Sequence, residues 1–158
     1  MTTHDPIVRL DGKTAVVSGA ARGQGEAEAR LFAQLGARVV LTDLREDEGR
    51  SVAESIGDGA LFVPHDVRSP AGWSTVVAAT LEAFGRLDVL VNNAGIAIGS
   101  IAITNFSLED FKKQQAVNVE GVFLGLKHSI PLMAKTGGSI INMSSVAGLK
   151  GSSMLPAY

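Results

Sequence analysis

Short apolar runs rich in β-branched residues alternate along this chain with longer stretches of helical periodicity. The runs fall at residues 14–18, 38–42, 60–63, 87–91 and 139–143, and each has the length of a strand. Helices are predicted between them over about 25–35, 46–56, 70–84 and 107–133. Local signals support these limits. Gly36 is placed to end the first helix. Ser69 followed by Pro70 reads as an N-cap with proline in the first helical position. Ser107, Leu108, Glu109 and Asp110 resemble a capping box. Strands apolar on both faces belong to a sheet covered on both sides, and alternation with helices joins such strands in parallel. The expected architecture is therefore α/β, a doubly wound parallel sheet in the order 3-2-1-4-5. One domain is expected over residues 1–158, without repeats, linkers or low-complexity segments. The longest connection, over about 93–106, is a candidate functional loop.

Composition narrows the function classes. The 158 residues are 46% hydrophobic, which suits one globular domain with a core. Fourteen basic and sixteen acidic residues give a net charge of −2. That balance supplies neither a footprint for nucleic acid nor a polybasic membrane anchor, so neither is an expected partner. The absence of cysteine excludes disulfides, thiolate catalysis and cysteine-based metal sites. His4, His65 and His128 share no ligand-like spacing, so no metal is expected. The first residues, MTTHDPIVRLDGK, contain no apolar signal region, and no run is long enough to span a bilayer. A soluble cytoplasmic location is the expectation.

The chemistry concentrates where strands end. Gly19, Gly23 and Gly25 lie in a G-x-x-x-G-x-G spacing between the first strand and the first helix. Such glycines allow a tight turn and a close backbone approach to a pyrophosphate, which the helix N-terminus then attracts. The same pattern also suits an ordinary strand-to-helix turn. An acid at the end of the second strand favours the dinucleotide. Asp43 follows Gly19 by 24 residues, close to the offset of a carboxylate that accepts from the adenosine ribose. A carboxylate there repels a 2′-phosphate and so favours NAD over NADP. Arg22 and Arg45 pull the other way, since either can hold a phosphate.

Further motifs follow in order. His65, Asp66 and Val67 follow the third strand, and Asn92, Asn93, Ala94 and Gly95 follow the fourth. Asn118 lies between valines in a helix it does not favour. Ser145 precedes Tyr158, the sole tyrosine, by thirteen positions. With the glycine loop, these motifs resemble those of the short-chain dehydrogenase/reductase family over nearly the whole chain. Ser18 stands where threonine is usual in that family.

The resemblance implies a Rossmann-like fold and hydride transfer between NAD and a secondary alcohol or ketone, with steroid-like or cyclic substrates among the options. It implies that Asn118, Ser145 and Tyr158 are catalytic, with Ser144 the second choice for the serine. It implies that Gly19, Arg22, Gly23, Gln24, Gly25, Asp43, Asp66, Val67, Asn93, Ala94 and Gly95 hold the cofactor. In that scheme Tyr158 moves the hydroxyl proton, Ser145 holds the substrate oxygen, and Asn118 helps hold a water. Asp66 accepts from the adenine amino group. Gly121 and Gly125 permit close approach of their helix.

A free tyrosine, with a pKa of about 10, is a poor base at neutral pH. The family's lysine, four positions after the tyrosine, favours the phenolate. Lys150 reads as a solvated loop lysine and no substitute for it. The resemblance thus implies a longer protein, with two further strand–helix units of roughly 30 residues each. These would bring C-terminal strands, a substrate lid and much of an interface for dimers or tetramers. Two other readings remain at this point. One is a catalytically inactive, truncated NAD-binding module. The other is an assembly protein that uses the 107–133 helix as its interface.

Overall fold

A computed structural model describes residues 8–99, 101–152 and 154–158. Its five strands are β1 (Thr14–Ser18), β2 (Arg38–Asp43), β3 (Ala60–Pro64), β4 (Val89–Asn92) and β5 (Ser139–Asn142). All pair in parallel, in the order β3-β2-β1-β4-β5. The helices are α1 (Gly23–Gln34), α2 (Glu46–Ile56), α3 (Pro70–Phe84), α4 (Leu108–Gln115) and α5 (Gly121–Met133). The predicted strand order is thus the one observed.

The alternation of side chains along the strands explains the two cores. Ala15, Val17, Val39, Leu41 and Val91 point to one face, where Ala29 of α1 and Val52 and Ala53 of α2 cover them. Val16, Val40 and Leu90 point to the other, against Trp73 and Val76 of α3 and Leu124 of α5. β1 is buried along its whole length because it has a strand on each side and helices on each face. Trp73 is fully buried, as expected for a core residue. The capping signals are also realised. The Ser69 hydroxyl accepts the Gly72 N–H at 3.0 Å, with Pro70 in the first turn. The Ser107 hydroxyl accepts the Asp110 N–H at 3.0 Å.

One element differs. The single helix predicted over 107–133 is divided by a π-turn, Ala116–Glu120, between α4 and α5. A π-turn accommodates an extra residue and so rotates everything after it by about 100° relative to an uninterrupted helix. Its cause is tertiary. Asn118 inside the turn bonds to the loop after β4, while Gly121 and Gly125 beyond it pack on Val67 and Trp73.

At the opposite end of the sheet from the predicted site, Asp88 joins β1 to β4. Its side chain accepts the Thr14 N–H at 3.0 Å and two bonds from the Arg86 guanidinium at 2.6 and 2.7 Å. Burial alone would raise its pKa, but Arg86, the Thr14 N–H and Lys13 outweigh that and hold the carboxyl below its ordinary range. The ionised form therefore stabilises the fold above the ordinary carboxylate pKa, and this contribution is lost as pH falls through the lowered value. Asp88→Asn is expected to cost about 1–3 kcal/mol of stability at neutral pH. Denaturant titration should show the gap to wild type closing below about pH 4.

Candidate functional site

β1 leads to α1 and then to β2 on one side, while β4 lies on the other side of β1. The loops leaving the C-terminal ends of these strands therefore diverge and leave a crevice, the usual ligand position in such sheets. Two cavities lie there and share Gln24, Asn93, Ala94, Gly95 and Ile96 as lining residues. The first, of about 520 Å³, is also lined by Gly19, Arg22, Gly23, Gly25, Asp43, Arg45, His65, Asp66 and Val67. The second, of about 430 Å³, is lined by Asn118, Met143, Ser144, Ser145 and Tyr158 among others. Every predicted cofactor residue thus lies on the first cavity, and every predicted catalytic residue on the second.

The glycine loop has the form a pyrophosphate needs. Gly19 and Gly23 have φ of +69° and +60°, which side-chain-bearing residues rarely adopt. A Cβ on Gly19 would come within 2.9 Å of the Ala94 Cα, and one on Gly25 would strike the Gly19 carbonyl and the Asn93 amide. A Cβ on Gly23 would meet nothing within 4 Å, so that side of the loop is open. No side chain caps α1, so its first N–H groups are available to an anion. These features fit a dinucleotide.

Asp43 is held by backbone. Its two carboxylate oxygens accept the Ala21 N–H at 3.1 Å and the Arg45 N–H at 3.0 Å. The Arg45 guanidinium is paired with Glu48 at 3.0 Å, whereas Arg22 is exposed at the cavity. Asp66 is engaged by its own neighbour. The Arg68 side-chain Nε lies 2.9 and 3.0 Å from its two oxygens, and this guanidinium is the main cause of its lowered pKa. The Val67 carbonyl accepts the Trp73 indole N–H at 2.9 Å. His65 is buried edge-on against Trp73, with ring centroids 4.5 Å apart. Burial pushes its pKa down to about 4 despite the pull of Asp66.

Ser18 is the residue that sequence reasoning underused. It is 1% exposed, and its hydroxyl oxygen accepts both the Asn93 and the Ala94 N–H at 3.1 Å. Asn93 returns the link by donating its side-chain amide to the Ser18 and Gly19 carbonyls at 2.9 and 3.3 Å. A polar residue closing an apolar strand was the available signal. Asn92 fixes local structure: its amide donates to Asn142 across the β4–β5 pair at 2.9 Å.

Asn118 has an engagement that the sequence did not show. Its amide accepts the Ile96 N–H at 2.9 Å and donates to the Ile96 carbonyl at 2.8 Å. The side chain thereby holds the loop after β4. Ser145 caps the short turn Val146–Gly148 by accepting the Ala147 N–H at 3.2 Å, which leaves its hydroxyl proton free to donate. Tyr158 is 42% exposed on the same cavity. Lys150 is exposed and does not line either cavity. His4 lies outside the described residues. Among the described residues no three histidine, cysteine or acidic side chains are grouped to hold a metal, and no helix is long and apolar enough to cross a membrane.

A doubly wound sheet with a glycine loop after β1, an acid at the end of β2 and a cavity bordered by Ser145 and Tyr158 has the form of a dinucleotide-binding fold. Residues 13–158 match the family model described as short chain dehydrogenase, and the chain belongs to that family. It is similar to the trans-4-hydroxycyclohexanecarboxylate dehydrogenase of Sinomonas cyclohexanicum, with 44% identity over 159 aligned positions. That match covers 95% of this chain and 61% of the relative. It is similar at 44% identity over 152 positions to the 3-alpha-(or 20-beta)-hydroxysteroid dehydrogenase of Mycobacterium tuberculosis (strain ATCC 25618 / H37Rv), covering 95% of this chain and 58% of the relative. The NADP-dependent (R)-specific alcohol dehydrogenase of Lentilactobacillus kefiri is also 44% identical over 154 positions, covering 95% of this chain and 61% of the relative. The chain spans about three-fifths of the length of these relatives. Members of this family use NAD or NADP.

Ser18→Ala would leave two partly buried N–H groups, of Asn93 and Ala94, without their acceptor. It should destabilise the fold by about 2 kcal/mol and weaken dinucleotide binding, as read by thermal melts with and without NAD.

Proposed function

We propose that the whole protein is an NAD-dependent dehydrogenase or reductase acting on a cyclic secondary alcohol or the corresponding ketone. The observation that carries this reading is the junction of two cavities over residues 93–96, with the glycine loop and Asp43 at one end and Ser145 and Tyr158 at the other. The dinucleotide, when bound, supplies the hydride donor or acceptor. The N–H groups of the glycine loop and of the α1 N-terminus hold its pyrophosphate. Asp43 accepts from the ribose hydroxyls, and Asp66 and Val67 border the adenine. Asn93, Ala94 and Gly95 line the passage between the cavities.

In the catalytic cavity, Ser145 donates its free hydroxyl proton to the substrate oxygen and keeps that oxygen beside Tyr158. Tyr158 takes the hydroxyl proton in the oxidising direction and returns it in the reducing one. Asn118 holds the loop that walls the cavity. Part of the lining supports an alicyclic substrate, because Ile96, Ala97, Val119, Val122 and Met143 offer aliphatic surface beside the polar Gln115 and Ser144. The relatives named for cyclohexane and steroid alcohols point the same way.

The NAD preference rests on Asp43. Two backbone N–H groups fix its carboxylate at the cavity, and Glu48 occupies Arg45, one of two competitors for a phosphate. Arg22 is left to oppose it. The whole protein is read as a dimer or tetramer, consistent with the exposed Val119 and Phe123 beside the site.

The full-length protein with NAD should oxidise cyclic secondary alcohols, followed as NADH absorbance. Tyr158→Phe should lower kcat by at least about a hundredfold while NAD binding by calorimetry stays unchanged. Full activity in that variant would remove Tyr158 from the chemistry. Asp43→Ala should reduce the ratio of NAD to NADP kcat/KM by about tenfold or more, given the strength of hydrogen bonds to a charged group. A ratio equal to wild type would show that Asp43 selects nothing.

A further inference from the structure

Gln114, in the last turn of α4, is fully buried. Its side-chain oxygen accepts the Ile98 N–H at 2.8 Å, while its amide nitrogen is buried with no partner. A buried unmade bond costs stability. A methionine would fill the same volume without it, so the distinctive contribution of glutamine here is its acceptor. Four residues on, Asn118 takes both the N–H and the carbonyl of Ile96.

The two spacings match. Gln114 and Asn118 lie about one helical turn apart, where α4 passes into the π-turn, and two residues along an extended chain advance about 6.6 Å. In an extended segment, residues j and j+2 present their backbone groups to the same side. Two amides one helical turn apart can therefore stand in for a neighbouring strand, with Asn118 opposite residue 96 and Gln114 opposite residue 98. The segment they hold contributes Ile96 and Ala97 to the cavity of Ser145 and Tyr158.

We propose that Gln114 is a positioning residue for the reaction. With Asn118 it docks the main chain of residues 96–98 and so sets the aliphatic wall against which the alcohol substrate is oriented. Gln114 touches neither cavity and acts only through this wall. The proposal rests on the dehydrogenase reading.

The test compares full-length wild type, Gln114→Met and Gln114→Glu. Gln114→Met keeps the volume and removes the acceptor, and Gln114→Glu restores an oxygen that can accept from Ile98. Two readouts are taken: steady-state kinetics with a cyclic secondary alcohol and NAD, and hydrogen exchange at the Ile98 amide by NMR. Gln114→Met should raise the KM for the alcohol about tenfold, leave the KM for NAD and the pH profile of kcat unchanged, and speed Ile98 exchange at least tenfold. Gln114→Glu should return both readouts toward wild type near neutral pH. An unchanged alcohol KM in Gln114→Met, or a Gln114→Glu variant as impaired as Gln114→Met, overturns the proposal. So does a rapidly exchanging Ile98 amide in wild type, whatever the activity. Wild type that oxidises no secondary alcohol with either dinucleotide, yet shows the expected exchange pattern, supports the docking and refutes the dehydrogenase reading instead.

Discussion

At the end of β1 the chain turns away toward α1, and at the end of the adjacent β4 it turns toward the long connection to α4. Sheet pairing stops there, so the backbone groups of both loops need new partners. Ser18 and Asn93 supply them by exchanging bonds across the seam. The crevice used by the site exists because the loops diverge, and it keeps its form because these two side chains join them. Gly19 and Gly25 belong to the same constraint, since a Cβ at either would separate the glycine loop from residues 93 and 94.

The second half of the site is brought to this seam by α5. Gly121 lies where a Cβ would come within 2.8 Å of a Val67 methyl, and Gly125 where it would press on Trp73 and the Asn92 amide. Trp73 also binds the Val67 carbonyl. The loop after β3 and the helix following Asn118 are therefore packed against each other. The π-turn between α4 and α5 reconciles this close packing with the bonds from Asn118 and Gln114 to the loop after β4. A regular helix could not satisfy both, because its phase would be off by one residue.

The two ends of the sheet use carboxylates in a similar way for different purposes. Asp88 accepts the Thr14 N–H at the start of β1, is buried, and is neutralised by Arg86 and Lys13. Asp43 accepts two N–H groups near the end of β2 and borders a cavity. Asp88 has its cations within the fold and serves stability. Asp43 has only N–H partners and keeps acceptor capacity toward the crevice, which suits recognition.

Strand order, the two covered faces and the position of the glycine loop were legible in the sequence, because each depends on local periodicity and on chain connectivity. The positions of Gly19 and Asp43 were legible as well, since that periodicity sets the strand ends that carry them, whereas Ser145 and Tyr158 stood out only through the resemblance of their spacing to the family's motif. The engagement of Asn118 with Ile96, of Asp66 with Arg68 and of Gln114 with Ile98 was not legible. Nor was the π-turn. Each depends on which backbone groups are left unpaired when separate segments meet, and one-dimensional spacing does not record that. Sequence alone determined the fold and the two ends of the cleft. Tertiary structure decided how the wall between them is held, because only packing shows which polar groups still lack a partner.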